Sequence, residues 1–314
     1  MKSTRTKYST VVAALMVLPI LSGCANGDSV VESAEVESRD QIVVAADASV
    51  ESSVLAEVYS TVLSSSGLSA RVESVGGGRN QSLEALDAAR VTLVPEFTGA
   101  LLDHYDPSSP ARKADDVFEA LSRSLPEGLS VSDYAMAEDR AVVALDTAFA
   151  QSLGAKTIEA FAPSCAAATS LVSVRFVEDG AVEQLAEGAE CVFAGVEQAT
   201  PADVPGAQVF GTTTLSALAQ SDAVTVLADS NHVLAAQNVV PLFRTGALGD
   251  SAVKALSVVA GELSTTDLAA MIDQVRTGNA SASEVARTWG GGPPKRGTPN
   301  NGVGHPSVSA RSHR

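Results

Sequence analysis

The segment VTLVPEFTGALL, residues 91–102, constrains the fold more than any other stretch of this chain. Its first four residues, VTLV, are typical of a short buried strand. Pro95 is expected to end that strand because proline has no N–H to donate to a neighbouring strand. Thr98 is expected to be the N-cap of a helix that begins near Ala100. The segment therefore predicts a strand–helix junction, where an open α/β sheet binds ligands and free N–H groups suit an anion. An ordinary strand–helix turn is the alternative.

Two similar units precede this junction. Residues 41–46, QIVVAA, predict a first strand, and the helix after it has apolar residues at helical spacing. A second extended run covers residues 70–75, and another helix follows the glycine turn at residues 76–78. That turn lacks the Lys-Ser/Thr of a P-loop, so a tight turn is favoured over a phosphate cradle. The β-α-β-α-β order predicts an α/β fold with a doubly wound, mainly parallel sheet.

The rest of the chain predicts a second α/β unit with its own strands and helices. The chain is expected to leave the first unit near Asp139–Val143 and to return near residues 208–213. Strands at residues 223–228 and 239–243 are then expected to rejoin the first unit, and residues 171–177 are predicted as a strand of the second. The predicted lobes are lobe 1, residues 41–140 and 210–289, and lobe 2, residues 141–209.

The N-terminus has the pattern of an export signal, with basic residues before an apolar run at residues 11–21 that is too short to span a bilayer. The next residues complete LSGC, which resembles the bacterial lipobox. The resemblance implies cleavage before Cys24, diacylation of its thiol and a lipid-anchored, extracytoplasmic protein at the cell membrane. A plain secretory signal and an uncleaved anchor are the alternatives. The predicted segments are a signal peptide at 1–23, an acidic tether at 24–40 and a disordered tail at 290–314.

Charge and cysteine count limit the partners. The formal net charge of −16 argues against a nucleic-acid partner, which needs basic surface. After Cys24, the two remaining cysteines are Cys165 and Cys191, and an even pair in an oxidising compartment favours a disulfide over two free thiols. The four histidines are scattered, so no metal site and no cofactor are expected.

Catalytic motifs are weak. The chain contains no GxSxG nucleophile elbow. Glu96 in a cleft has the chemistry of a general acid, but a structural carboxylate or cap is favoured. His104 is expected on the solvent face of a helix. The chain is therefore not predicted to be an enzyme, although an exported hydrolase is kept as the weakest alternative.

Five segments together carry a resemblance to the solute-binding proteins for glycine betaine, choline and related osmoprotectants, which serve ABC importers. VTLVPEFTGALL resembles the PEYTGT segment of that family, and VLADSNHVLAAQNVVPLFR resembles the stretch that precedes its closing helices. The five segments are residues 42–59, 75–86, 91–102, 226–244 and 260–289. The resemblance implies a two-lobed type II periplasmic-binding-protein fold with a small solute between the lobes, and as partners an ABC permease and its ATPase. The protein is expected to be a monomer.

The same resemblance implies a ligand site with fewer aromatic residues than usual. Phe97 keeps an aromatic ring, but Ser49, Gln237 and Ala141 stand where the family commonly has one. Three lost cation–π contacts would cost about 3 kcal/mol of betaine binding. Thr98 matches the residue that helps to hold the ligand carboxylate, and Ser52 replaces a glutamine with a similar role.

The predicted ligand-binding residues lie in four stretches. They are Asp47, Ser49 and Ser52; Phe97 and Thr98; Asp139 and Arg140; and Gln237 and Asn238. A polar, zwitterionic or hydroxylated solute fits this set better than a fully caged betaine. A ligand-sensing or degenerate binding lipoprotein without transport is the main alternative function.

Overall fold

The structure, a computed structural model, describes residues 41–199 and 206–290. The predicted signal peptide, Cys24 with its acidic tether, and residues 291–314 of the predicted tail lie outside the described residues.

The described residues contain ten strands and eleven α-helices. The strands are β1 (Ile42–Ala46), β2 (Ala70–Ser74), β3 (Leu93–Phe97), β4 (Leu129–Val131), β5 (Ala141–Asp146), β6 (Thr169–Val172), β7 (Gly195–Gln198), β8 (Val209–Thr213), β9 (Val224–Val226) and β10 (Val239–Arg244). The helices are α1 (Val50–Ser65), α2 (Arg79–Asp87), α3 (Thr98–Tyr105), α4 (Ala114–Ser124), α5 (Thr147–Leu153), α6 (Ile158–Phe161), α7 (Val174–Glu178), α8 (Ala181–Ala189), α9 (Asp250–Glu262), α10 (Thr265–Arg276) and α11 (Ala282–Gly290). A 3₁₀-helix covers Ala162–Ala167.

The strands form two five-stranded sheets of the same design. The first has the order β2-β1-β3-β10-β4 and the second β7-β6-β8-β5-β9. In the first, β10 is antiparallel to both of its neighbours, so the other four strands share one direction. In the second, β5 is the antiparallel strand in the same way. Each sheet is therefore mainly parallel, with one reversed strand beside the edge.

Helices cover both faces of the first sheet because its strands alternate apolar residues between the two faces. On one face, Leu93 and Val239 pack with α1, α9, α10 and α11. On the other, Val94 and Val240 pack with α2, α3 and α4. The second sheet has a large core on one face and a much smaller cluster around Phe210 on the other.

Pro95 does not end the strand, which corrects the sequence-based expectation. It lies in the middle of β3, directly opposite Pro241 of β10. Antiparallel strands alternate hydrogen-bonded pairs with pairs that exchange no N–H···O bond. Two facing prolines suit the second kind of pair, so neither removes a donor that the ladder needs. β3 consequently runs on through Phe97.

The return of the chain to the first sheet also differs from the prediction. The expectation that residues 223–228 rejoin the first unit is wrong, because β9 pairs with β5 in the second sheet. β8, at the predicted return point, also pairs with β5. The return therefore lies between β9 and β10. It runs beside the outgoing segment, where Glu138 and Asn238 form an antiparallel bridge.

Cys165 and Cys191 form a disulfide in the core of the second lobe. Cys165 lies in the 3₁₀-helix, and Cys191 follows α8. Both are at most 1% exposed. The bond ties the two ends of a chain segment that contains β6, α7 and α8.

No single helix among the described residues is long and apolar enough to cross a membrane. α9 and α10 reach that threshold only as a pair bent by 93°, and both bury apolar side chains in the core of the first lobe. The described residues also contain no group of three or more His, Cys, Asp or Glu that could hold a metal ion.

Candidate functional site

A cavity of 580 Å³ lies between the two lobes. The first lobe contributes the turn after β1, the start of α2 and the end of β3. The second lobe contributes the start of α7 and the end of β8. Strand ends and helix starts meet there because neighbouring parallel strands present their carboxyl ends at one edge of a sheet.

The turn before α1 places three of the predicted residues on the cavity. The Ser49 hydroxyl accepts the Ser52 N–H at 3.1 Å, as an N-cap does. The Ser52 hydroxyl accepts the Asp47 N–H at 2.9 Å, and Asp47 Oδ1 accepts the Ser49 N–H at 2.7 Å. All three residues border the cavity. Because each serine already accepts a backbone bond here, its hydroxyl proton is the group it offers to a solute.

Glu96 is buried in an ion pair with Arg79. The two carboxylate oxygens accept from Arg79 Nε and Nη2 at 3.0 and 3.1 Å, and Oε2 also accepts the Phe97 N–H at 3.2 Å. Glu96 is 5% exposed. A carboxylate held in this bidentate way has a structural role, which agrees with the interpretation favoured from the sequence over a general acid.

Phe97 borders the cavity, and Arg175 of the second lobe lies against its ring. The distance from Arg175 Cζ to the ring centroid is 5.8 Å, which is within the range of a cation–π interaction. Among the described residues that border this cavity, Phe97 is the only aromatic one.

Arg175 was not predicted as a site residue, because residues 171–177 were expected to form a strand. The strand β6 ends at Val172, and Ser173 caps α7 by accepting the Phe176 N–H at 3.2 Å. The serine was the available signal, since it is a preferred N-cap residue. The helical turn brings Arg175 to the cavity.

Asp139 is the buried carboxylate of the cavity. It is 6% exposed, hydrogen-bonds the Thr213 hydroxyl, and accepts the Leu215 N–H at 3.4 Å. Burial raises the pKa of Asp139, while the Thr213 hydrogen bond and the charge of Arg175 act in the opposite direction. A cationic group in the cavity would stabilise its charged form.

Arg140, the neighbour of Asp139, does not border this cavity. It lies 3.3 Å from Glu138 and 3.6 Å from Asp229, measured between guanidinium nitrogens and carboxylate oxygens. The pair with Asp229 connects the outgoing segment with the returning one. The structure therefore gives Arg140 a place at the crossing between the lobes rather than on the cavity wall.

Thr98 and Asn238 are buried in bonds to each other. The Thr98 hydroxyl accepts the Asn238 N–H at 3.0 Å, and the Thr98 N–H donates to the Asn238 carbonyl at 2.9 Å. Thr98 is 0% exposed, and neither residue borders the cavity. The Thr98 hydroxyl, which the sequence predicted to face a ligand, is therefore enclosed and does not border this cavity. Asn238 is further fixed by its side-chain N–H, which donates to the Ala135 carbonyl at 2.9 Å.

Gln237 caps α3 from a distant part of the sequence. Its Oε1 accepts the Ala100 N–H at 2.8 Å, a role expected of Thr98. Gln237 borders a second cavity, of 500 Å³, that shares Arg79 and Arg175 with the first. Burial is the main cause that raises the pKa of Asp179 in that second cavity to about 6.

Replacing Thr98 with alanine should destabilise the ligand-free protein. The change leaves the buried Asn238 N–H without an acceptor, which costs about 1–3 kcal/mol. Urea unfolding measures the loss. Thr98→Ser keeps the hydroxyl and serves as the matched control, with a smaller loss expected. Equal stability of wild type and Thr98→Ala would contradict this role.

Residues 40–290 match the family described as the substrate-binding domain of ABC-type glycine betaine transport systems. This chain belongs to that family. Members are non-enzymatic, extracytoplasmic binding proteins that bind small solutes and work with an ABC permease and its ATPase. The exported-hydrolase alternative is therefore set aside.

Solved structures confirm the two-lobed periplasmic-binding-protein fold expected of this family. The chain is similar to a glycine betaine/carnitine/choline ABC transporter structure, with TM-score 0.69, 11% identity, and coverage of 79% of this chain and 97% of that one. It is similar to apo YehZ from Escherichia coli with TM-score 0.64, 15% identity, and coverage of 79% and 97%. It is also similar to lactococcal OpuAC in complex with glycine betaine, with TM-score 0.52, 10% identity, and coverage of 80% of this chain and 94% of that one. No curated protein matches the sequence significantly.

Proposed function

We propose that this protein is the lipid-anchored solute-binding protein of an ABC importer. It binds a small osmoprotectant-like solute, meaning a quaternary amine, a zwitterion or a polar molecule, in the cavity between its lobes. The single observation that carries the proposal is the 580 Å³ cavity, to which both lobes contribute side chains, in a chain of this family. A volume of this size suits a small molecule.

The residues proposed to contact the solute are those of the predicted set that border the cavity. They are Asp47, Ser49, Ser52, Phe97 and Asp139. Thr98, Arg140, Gln237 and Asn238 position these residues instead, through the hydrogen bonds and ion pairs at the crossing between the lobes. For the lobes themselves we propose residues 41–140 and 236–290 as lobe 1, and the described residues within 141–235 as lobe 2. Leu227, Val233 and Leu234 pack in the core of the second lobe, whereas Ala236 packs in that of the first.

A thermal-shift screen of the mature protein tests the function. Quaternary amines, amino acids and small polar solutes are the probes. A solute at 100 times its dissociation constant stabilises a protein by about 2.7 kcal/mol, which gives a clear shift in melting temperature. Absence of any shift across the three classes, each followed by calorimetric titration, would contradict the proposal.

Solute sensing without transport is the second candidate function. Arg175 against Phe97, the single aromatic residue among the described residues of the cavity, favours it, because the arrangement departs from the aromatic cage that the resemblance implies. The two functions are separated by measuring how much of the radiolabelled solute found in the screen is taken up by cells with and without this protein. Equal uptake in both strains favours sensing, and loss of uptake without the protein favours transport.

Replacing Cys24 with alanine should release the protein from the membrane. The lipobox resemblance places the lipid on this thiol, and alanine offers no atom for thioether formation. Fractionation and intact mass measure the result, and Ser29→Ala, outside the LSGC motif, is a control that keeps the N-terminal motif. A Cys24→Ala protein that stays membrane-bound at wild-type level would overturn the anchor.

A further inference from the structure

The aromatic ring of the cavity already has a cation of the protein against it. Arg175 Cζ lies 5.8 Å from the centre of the Phe97 ring, and no other described residue on this cavity is aromatic. A quaternary ammonium has no N–H group, and aromatic faces hold it through cation–π attraction. A quaternary ammonium that binds at the Phe97 ring would therefore be repelled by the positive charge of Arg175.

Arg175 is held in place from its own helix. Its Nε lies 3.1 Å from Asp179 Oδ1, four residues later, and the Asp179 side chain is 8% exposed. Arg175 Nη2 is buried and makes no hydrogen bond with the described residues. A guanidinium donor without a partner is well suited to an oxyanion, above all to a carboxylate.

The charges on the cavity that form no ion pair with the described residues are acidic. Three arginines border it, and each forms an ion pair. The pairs are Arg79–Glu96, Arg175–Asp179 and Arg276–Glu51. Asp47, Asp139 and Glu178 also border the cavity and form no ion pair with the described residues. The cavity therefore has an excess of negative charge, which a cationic group would balance.

Asp139 is the most buried of these three carboxylates, and it has acceptor capacity to spare. An ionised carboxylate offers about four acceptor positions. Thr213 and the Leu215 N–H account for two of them. N–H donors of a ligand can use the rest, whereas the methyl groups of a quaternary ammonium cannot. The charge of the cavity and the free acceptor positions of Asp139 therefore both favour a cation that carries N–H groups.

We propose that the solute is a small zwitterion whose cationic end is a primary or secondary ammonium. The ammonium N–H groups bind Asp139, and the carboxylate of the solute binds Arg175. This inference rests on the proposed function, because it names the solute class of the same cavity. It separates this protein from the betaine-binding members that the resemblance implies.

A methylation series tests the inference by calorimetric titration of the purified mature protein. Glycine, N-methylglycine, N,N-dimethylglycine and glycine betaine keep one carboxylate and lose the N–H groups stepwise. Proline and N,N-dimethylproline form a second, larger pair. The tightest N–H-bearing member is expected to bind about 10- to 100-fold more tightly than its quaternary counterpart, the worth of a hydrogen bond to a charged group.

The outcomes separate this inference from the proposed function. Quaternary members that bind as tightly as the others, or more tightly, overturn the inference and leave the proposed function intact. Absence of binding by all six compounds overturns the inference, whereas the proposed function is tested by the wider thermal-shift screen.

Two variants locate the selectivity, measured as the ratio of affinities for the N–H-bearing and the quaternary ligand. Both ligands carry the same carboxylate, so effects at that end cancel in the ratio. Asp139→Asn should bring the ratio close to one, and Arg175→Gln should lower it by freeing the Phe97 ring. Asp133→Asn, at an exposed position outside the cavity, is the charge-matched control and should keep the wild-type ratio.

Melting curves of the ligand-free variants report folding. If Asp139→Asn does not fold, the affinity ratio of Arg175→Gln alone tests the assignment. An unchanged ratio in every folded variant would overturn the assignment of these residues.

Discussion

Replacing Arg79 with methionine is expected to lower the free energy of unfolding by about 3 kcal/mol. The reason is the state of its partner. Glu96 is 5% exposed and keeps two hydrogen bonds to the guanidinium, so the variant leaves a buried carboxylate with only the Phe97 N–H. Arg79 is itself partly exposed, which places the loss at the lower end of the range for broken buried pairs. Urea unfolding of the ligand-free protein measures it.

The chain offers a matched control for this experiment. Arg123 and Glu119 also form an ion pair, but their side chains are 67% and 69% exposed. Arg123→Met should therefore change the stability by no more than about 0.5 kcal/mol. Adding Glu96→Gln to Arg79→Met removes the unpaired charge and should restore part of the loss. Equal effects of Arg79→Met and Arg123→Met would show that burial does not set the strength of the first pair.

Removing the disulfide should cost about 3.5 kcal/mol of unfolding free energy. The chain-entropy estimate follows from the sequence separation of 26 between Cys165 and Cys191, since the bond restricts that loop in the unfolded chain. The double variant Cys165→Ala/Cys191→Ala is compared with wild type by urea unfolding. Alanine keeps the two positions apolar within a buried core.

Reductant provides the control for the disulfide. With dithiothreitol, the wild type should unfold at the same urea midpoint as the double variant. The midpoint of the double variant itself should not change when dithiothreitol is added. Intact mass after alkylation shows whether the bond was present and then reduced. An unchanged wild-type midpoint, with both thiols alkylated, would contradict the expected stabilisation.

Much of the fold could be predicted because its signals are local. The alternation of short apolar runs with helical periodicity predicted β1, α1, β2, α2 and α3. Sheet membership could not be predicted in the same way. Residues 223–228 form an apolar run that either sheet could use, and pairing with β5, about 80 residues away, decided the matter. Pro95 was misjudged for the same reason, since its place inside a strand depends on Pro241.

In the candidate site as well, residues fixed by local structure were predictable and residues fixed by distant contacts were not. Asp47, Ser49 and Ser52, predicted to bind the ligand, border the cavity because one capping turn at the end of β1 fixes all three. Thr98 was expected to face the ligand, but its side chain is fully buried and its hydroxyl accepts the N–H of Asn238, 140 residues later. Arg175 was missed altogether, because a helix replaced the predicted strand and a second lobe brought it to Phe97.

The sequence by itself determined the alternation of strands and helices, the family and the position of the turn after β1 that borders the cavity. These depend on side-chain periodicity, capping and ordered segments, which act over a few residues. Only the tertiary structure decided which polar groups remain free for a solute. A hydroxyl or a charge is available only if it is accessible and its bonds to distant residues leave it a free donor or acceptor position, and burial raises the cost of breaking each such bond. For this reason Thr98 became part of the framework and Asp139 and Arg175 became the candidate recognition pair.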